Sequence, residues 1–351
     1  MSNANRFYCS REQVKAAVGI TGAALDTLID SYIEAASEDV EKLLGRNFIP
    51  ITATKYYRWP RRSSGVATLD LDNEDLLAVT TLQSEAQNSS PTTIASADYF
   101  LEPVNLAPPY RRIEIDLSST SAFQSGDTPQ RSISVLGRWG YSEDTKAAGT
   151  AAEAMDASET GLDVSDASLI DVGDTVLIGS EAMFVSGRAA LTTTTTLNDT
   201  LTADENDVTV TVADGTKVKQ GEIILLDSEK MRVESISSND LTVKRAVDGS
   251  VLAAHTTGIT VYAYRTLTVV RGVNGTTAAA HDTAAAITKY APPADVRLYC
   301  MAKAILDLKQ GESGWTGTIG GGEGSIAIRA ENVPLMRQQI EEKYSLKAVS
   351  F

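Results

Sequence analysis

Two periodicities alternate along the chain. Leu25, Leu28, Ile29, Tyr32, Ile33, Ala36, Val40, Leu43 and Leu44 recur at i, i+3, i+4 spacing. That is the stripe of a helix with one buried face, and it predicts a helix over about 22–44. Gly45 stands where a C-terminal cap belongs. A shorter helix precedes it: Ser10 with Gln13 forms a capping-box pattern, the helix runs through Val18, and Gly19 ends it. After Pro292-Pro293, residues 295–310 are apolar on a broad front that includes Val296, Leu298, Tyr299, Cys300, Met301, Ile305, Leu306 and Leu308, which predicts a mostly buried helix closed by Gly311. A last short helix follows Pro334, with Met336, Ile340 and Tyr344 at four-residue spacing.

From Ile51 to Tyr141 the period falls to two. Leu69 to Asp72, Ile113 to Leu117 and Ser132 to Leu136 alternate as half-buried strands do, and Pro103, Pro108, Pro109 and Pro129 punctuate the loops. Residues 146–158, rich in Ala, Gly and Thr, read as a linker.

Residues 159–290 contain a repeat. Val164–Val185 aligns with Val212–Val233 at an offset of 48, from position 164 to 212, matching Asp166/Asp214, Gly173/Gly221, Ser180/Ser228, Glu181/Glu229 and Met183/Met231. Leu241–His255 aligns with Leu267–His281 at an offset of 26, from position 241 to 267. The order is first half, first half, second half, second half. It predicts one module inserted into a hairpin loop of its twin: an outer module of 159–187 plus 265–290 and an inner module of 200–264. Leu191–Leu197 forms the entry connection. Val176–Ile178 and Ile223–Leu226 are short apolar strands, and Asp248-Gly249 and Asn274-Gly275 are hairpin-type dipeptides at matched positions. Each module is therefore a small β unit, as a barrel or as a sandwich.

Composition narrows the chemistry. At 351 residues with 42% hydrophobic and 22% charged residues, the chain is expected to fold into about two domains. The apolar run Leu298–Leu306 is short and broken by Lys303, so no membrane span is expected, and the N-terminus lacks the apolar run of a secretory signal. With 31 Lys and Arg against 46 Asp and Glu, the net charge is −15, which is wrong for coating DNA but suits a surface past which DNA slides. The two cysteines, Cys9 and Cys300, allow one disulfide on paper. Far apart in sequence, they read better as small buried residues. The two histidines, His255 and His281, fill the same slot in both modules, after an Ala-Ala pair, and are expected to be structural hydrogen-bonding residues.

Candidate motifs for chemistry fail on inspection. Gly317–Gly324 lacks the Gly-Lys-Ser/Thr ending of a phosphate loop and follows a helix rather than a strand. Asp70–Thr81 has Asp75 where a calcium loop needs Gly, and Thr81 where it needs Glu. No nucleophile elbow is present. The sequence thus predicts no catalytic, metal or cofactor residues and no enzyme. Arg58-Trp59-Pro60-Arg61-Arg62 is the one basic–aromatic cluster, read as an exposed turn or as a ring or tail contact through Arg58, Trp59, Arg61 and Arg62. Asp26, Asp30, Glu34, Glu38 and Glu41 line the polar face of the second helix, read as a solvated face or one opposite a basic neighbour.

Several runs, in order, resemble the head–tail connector (adaptor) proteins of tailed bacteriophages: Cys9–Lys15 with Gly19-Ile20 and Asp26; Gly45-Arg46-Asn47-Phe48; Asp98–Pro103 with Pro109-Tyr110; Val135–Tyr141; and Pro292–Val296. The resemblance covers about 1–145 and 291–351. The insertion 146–290 resembles β modules of other phage structural proteins, notably at Val270–His281. The resemblance implies an α+β fold: a helical-bundle connector core with short β strands (1–145 and 291–351), plus an inserted all-β region of two nested repeat modules (146–290). It implies a virion protein, made in the host cytoplasm and located at the neck. There it forms a ring, typically of twelve copies, that joins the portal protein to a downstream neck or tail-completion protein and continues the channel for double-stranded DNA. By the same resemblance the C-terminal segment docks on the portal through Arg329, Leu335, Met336, Arg337, Ile340, Tyr344 and Phe351, with Gly-rich 311–324 as an adaptable arm. The strand-rich region 51–141 faces ring neighbours or the tail side. The alternative is a surface adhesin or decoration protein whose β modules bind host glycans.

Overall fold

Capping chemistry sets the first helices. In α1 (Arg11–Val18) the Ser10 hydroxyl accepts from the Gln13 amide at 3.2 Å, and the Gln13 side chain accepts from the Ser10 amide at 3.3 Å. Gly19 and Gly45, both left-handed, close α1 and α2 (Asp26–Leu44). The helix α2 begins four residues later than the apolar pattern suggests, because 22–25 are spent on a turn. From the far end of the chain come α3 (Ala294–Glu312) and α4 (Asn332–Tyr344), with Pro334 tolerated in the first turn of α4. The computed structural model describes residues 5–60, 66–106, 108–312 and 332–346. The four helices share one core, in which Ile29, Ile33, Val40 and Leu44 of α2 meet Val296, Tyr299 and Leu308 of α3 and Ile340 and Tyr344 of α4.

Seven antiparallel strands follow α2: β1 (Ile51–Tyr57), β2 (Thr68–Asp70), β3 (Leu76–Ser84), β4 (Thr92–Ile94), β5 (Tyr99–Glu102), β6 (Arg112–Ile115) and β7 (Ile133–Trp139). They make a four-stranded sheet, β1-β7-β3-β4, and a three-stranded sheet, β2-β6-β5. Leu69, Ile113 and Ile115 of the small sheet share a core with Leu82, Ile94, Val135 and Trp139 of the larger one. At Gly137 a Cβ would lie 2.4 Å from the Ala78 carbonyl oxygen, so only glycine lets β3 bulge against β7 there.

The remaining strands are β8 (Thr145–Thr150), β9 (Gly161–Asp163), β10 (Thr175–Ile178), β11 (Glu181–Thr196), β12 (Thr209–Thr211), β13 (Ile223–Leu226), β14 (Glu229–Ser237), β15 (Asp240–Lys244), β16 (Thr260–Val270) and β17 (Ala286–Tyr290). They form a ten-stranded sheet, β12-β15-β14-β13-β16-β11-β10-β17-β8, with β9 also on β16. Two separate cores lie along it. One is built from residues 148–185 and 267–287, the other from residues 197–263. The long strands β11 and β16 pair from Phe184↔Val270 to Thr196↔Thr260 and run through both cores.

Four expectations need correction. The core is not a helical bundle: seventeen strands in three sheets hold more of the described chain than the four α-helices do, and the helices form one further core beside the sheets. Strands of three to nine residues in 51–141 give little local signal, and pairing alone makes them a two-sheet core. Residues 146–158 are not a linker: β8 pairs with β17, and Ala148, Ala151 and Met155 enter the first β core. Leu191–Thr196 is part of β11 rather than a connection. Asp248-Gly249 and Asn274-Gly275 do adopt positive φ, but they do not join paired strands, because β17 pairs with β10 and β8 rather than with β16.

Candidate functional site

The repeated positions assemble into two matching buried clasps. In the inner one, Glu229 at the start of β14 accepts from Arg245 Nε at 2.9 Å and from its terminal nitrogen at 2.7 Å. It also accepts from the amides of Ala246 and Ala253 at 3.1 and 3.0 Å, and lies 2.9 Å from His255 Nε2. The other ring nitrogen of His255 lies 2.9 Å from Asp227. In the outer clasp Glu181 takes two bonds from Arg271 at 2.7 and 2.8 Å and the amides of Gly272 and Ala279 at 3.1 and 2.9 Å, and lies 2.8 Å from His281. Each arginine also donates outward to the segment that closes its own module, Arg245 to the Thr202 and Asp207 carbonyls and Arg271 to those of Asp156 and Glu159.

Burial alone would raise the Glu181 carboxyl, but bonds from Arg271, Ala279, His281 and Gly272 outweigh it and hold the group down to about 2. Burial likewise opposes the same net lowering at Glu229, where Arg245, His255 and Ala253 prevail. The clasps hold no nucleophile, and their central carboxylates, Glu181 and Glu229, are closed off from solvent, while Asp227 stays exposed at the rim. What they do is pin loops, as expected for the histidines. The carboxylate and guanidinium partners were visible in the sequence only as matched positions, Glu181/Glu229 and Arg271/Arg245.

A second convergence involves the runs that carry the connector resemblance. The Phe48 ring lies 5.4 Å from Tyr141 and 5.5 Å from Tyr344, and Tyr141 lies 5.1 Å from Tyr344. The Arg46 guanidinium sits 5.1 Å over Tyr141, the Tyr141 amide donates to the Asn47 carbonyl at 2.7 Å, and the Tyr344 hydroxyl donates to Asp295 at 2.7 Å. The Phe48 amide donates to the Tyr8 hydroxyl at 3.0 Å. Residues from five distant parts of the chain thus meet in one aromatic joint. The Asp98–Pro103 run lies apart from it, in and just after β5.

The predicted contact residues are scattered in exposure. On α4, Ile340 and Tyr344 are 2% exposed and belong to the chain's own core, whereas Leu335 is 54% exposed, Arg337 is exposed and Met336 is half-buried. Arg329, Phe351, Arg61 and Arg62 lie outside the described residues, as does the greater part of 311–324. Arg58 is exposed, but the Trp59 indole is engaged, donating to the Phe123 carbonyl at 2.8 Å. The acidic face of α2 is only partly solvated. Glu41 is buried against Arg6 and Tyr8, and Asp26 and Asp30 pair with Arg11 and Lys15. Cys9 and Cys300 are both buried free thiols with sulfurs 3.6 Å apart, a proximity the sequence did not show.

Among the described residues no group of three or more His, Cys, Asp or Glu could hold a metal ion, and no helix is long and apolar enough to cross a membrane. No protein-family model, no curated protein and no solved structure matches the chain.

Proposed function

We propose that this chain is a structural protein of the tailed-phage neck, a connector that forms a ring against the portal, holds the next neck or tail component and continues the DNA channel. The observation that carries this reading is the aromatic joint. Three resembling runs spread over about 250 residues, 45–48, 135–141 and 292–296, come together there: Phe48 packs on Tyr141, and Tyr344, from outside those runs, packs on both and bonds Asp295. The excess of acid supports a channel role, because like charge discourages DNA from sticking to a wall. The buried carboxylates Glu181 and Glu229 are bound up in the clasps, and Glu222, Asp75 and Glu41 each pair with an arginine, which favours a scaffold over an enzyme. The exposed side of α4, with Leu335 and Arg337, is the portal-facing surface in this reading; Ile340 and Tyr344 hold that helix in place.

The test is co-assembly of the purified chain with its cognate portal ring, followed by averaged electron-microscopy images. A collar with the symmetry of the portal is the expected result, and Leu335→Asp with Arg337→Glu should remove it while leaving the fold intact. A bare portal beside free chains would refute the reading and make glycan binding the next assay.

A further inference from the structure

A cleft of about 360 Å³ opens where α1 faces the inner β module. Its β wall is cationic in a chain whose net charge is −15. Arg232 and Lys244 are exposed and stand directly opposite each other across β14 and β15, and Lys230 lies two residues from Arg232 on the same face. Like charges placed directly opposite across a strand pair cost stability, so nothing in the fold recommends this arrangement. Among the described residues no carboxylate lies within ion-pair distance of any of the three, and Lys230 instead rests 4.9 Å over the Tyr264 ring. Lys15, on the helical wall, is already neutralised by Asp26 at 2.9 Å and Asp248 at 3.5 Å.

We propose that this cleft receives an acidic surface of a second copy of the chain, with Arg232 and Lys244 as the principal cations. The charge pattern selects this occupant. At a net charge of −15 the chain as a whole repels the continuous charge of a nucleic-acid backbone, whereas a small acidic corner needs only the few cations of the cleft. The chain carries such a corner on its outer β module. Glu153 is exposed beside Asp163, where Ala151 bridges to Val164 and the Ala152 amide donates to the Asp163 carbonyl at 2.7 Å, and the neighbouring Asp163 and then Glu159 raise its carboxyl, a crowding that a cation from outside would relieve. Among the described residues no cleft cation pairs with Glu153, Glu159 or Asp163 within one chain. Cleft and corner are different patches, so the contact is head-to-tail, the kind that closes into rings. The inference rests on the ring reading for the expectation that copies meet in this way, and it places the inserted β region at the contact.

The experiment follows self-association of the full chain by analytical ultracentrifugation at low and high salt. Arg232→Glu/Lys244→Glu is compared with Glu153→Lys/Glu159→Lys, after thermal melts show both variants folded. Each variant alone should associate about tenfold more weakly than the parent chain, and an equimolar mixture of the two should recover the loss, because the reversed cleft then meets the reversed corner. High salt should weaken the parent contact as well. Association that ignores both reversals, or a mixture that recovers nothing, overturns the inference and leaves portal docking untouched. So does a parent chain that stays monomeric at low salt. A further arm adds short double-stranded DNA. Binding that Arg232→Glu/Lys244→Glu abolishes would assign the cleft to phosphate instead.

Discussion

Glu229 and Glu181 show how much one buried side chain can hold. Each satisfies an arginine, a histidine and two backbone amides, so removing the carboxylate leaves a buried guanidinium without its partner. Glu229→Ala should therefore cost the inner module about 3–5 kcal/mol, read from chemical denaturation, and adding Arg245→Met should recover part of that cost by removing the stranded charge. If the single variant unfolds at the parent denaturant midpoint, the clasp contributes no net stability. The sequence placed His255 and His281 in equivalent slots. It could not show that Glu229 lies against His255, because 26 residues separate them and only folding of β14 and β15 brings them together.

At the scale of the elements, the junctions between layers are where pH and packing act. Glu12 of α1 accepts from the Val172 amide at 3.0 Å, and burial raises its carboxyl to about 7, against the opposing pull of Arg188. A carboxyl whose folded value lies above its ordinary 4.5 takes up a proton on folding, so its contribution to stability falls as pH rises from about 4.5 to about 7 and is flat above that. Glu12→Gln should abolish that slope and raise the melting temperature most above pH 7, as measured by melts across the range. On α4 the two faces should behave differently. Tyr344→Ala removes a buried ring from the aromatic joint and should cost about 3–5 kcal/mol, whereas Leu335→Ala, on the exposed face, should stay within about 0.5 kcal/mol. Equal costs in denaturant titrations would mean that α4 is not packed as described. The caps and the apolar stripe made α1 and α2 legible residue by residue. The short strands β2, β4 and β9, of three residues each, were not, because their stability comes from partners rather than from their own pattern.

For the whole molecule, the division of the β region into two cores sets which fragments can stand alone. A fragment of 144–291 retains β8 and should melt cooperatively in calorimetry. One of 157–290 loses Ala148, Ala151 and Met155 from the first core and should melt at a lower temperature. Identical melts would return β8 to the status of a linker. The sequence by itself determined the helix limits at Ser10, Gly19 and Gly45, the nested repeat, and the acidic balance, since caps, repeats and charge are local or countable properties. Only the tertiary structure decided that strands outweigh helices, that β11 and β16 run as one ribbon through both β cores, that the two thiols touch, and that Arg232 and Lys244 line a cleft without pairing to a carboxylate among the described residues. Those facts depend on which distant segments pair, and pairing is governed by burial and register summed over the whole chain rather than by any window of it.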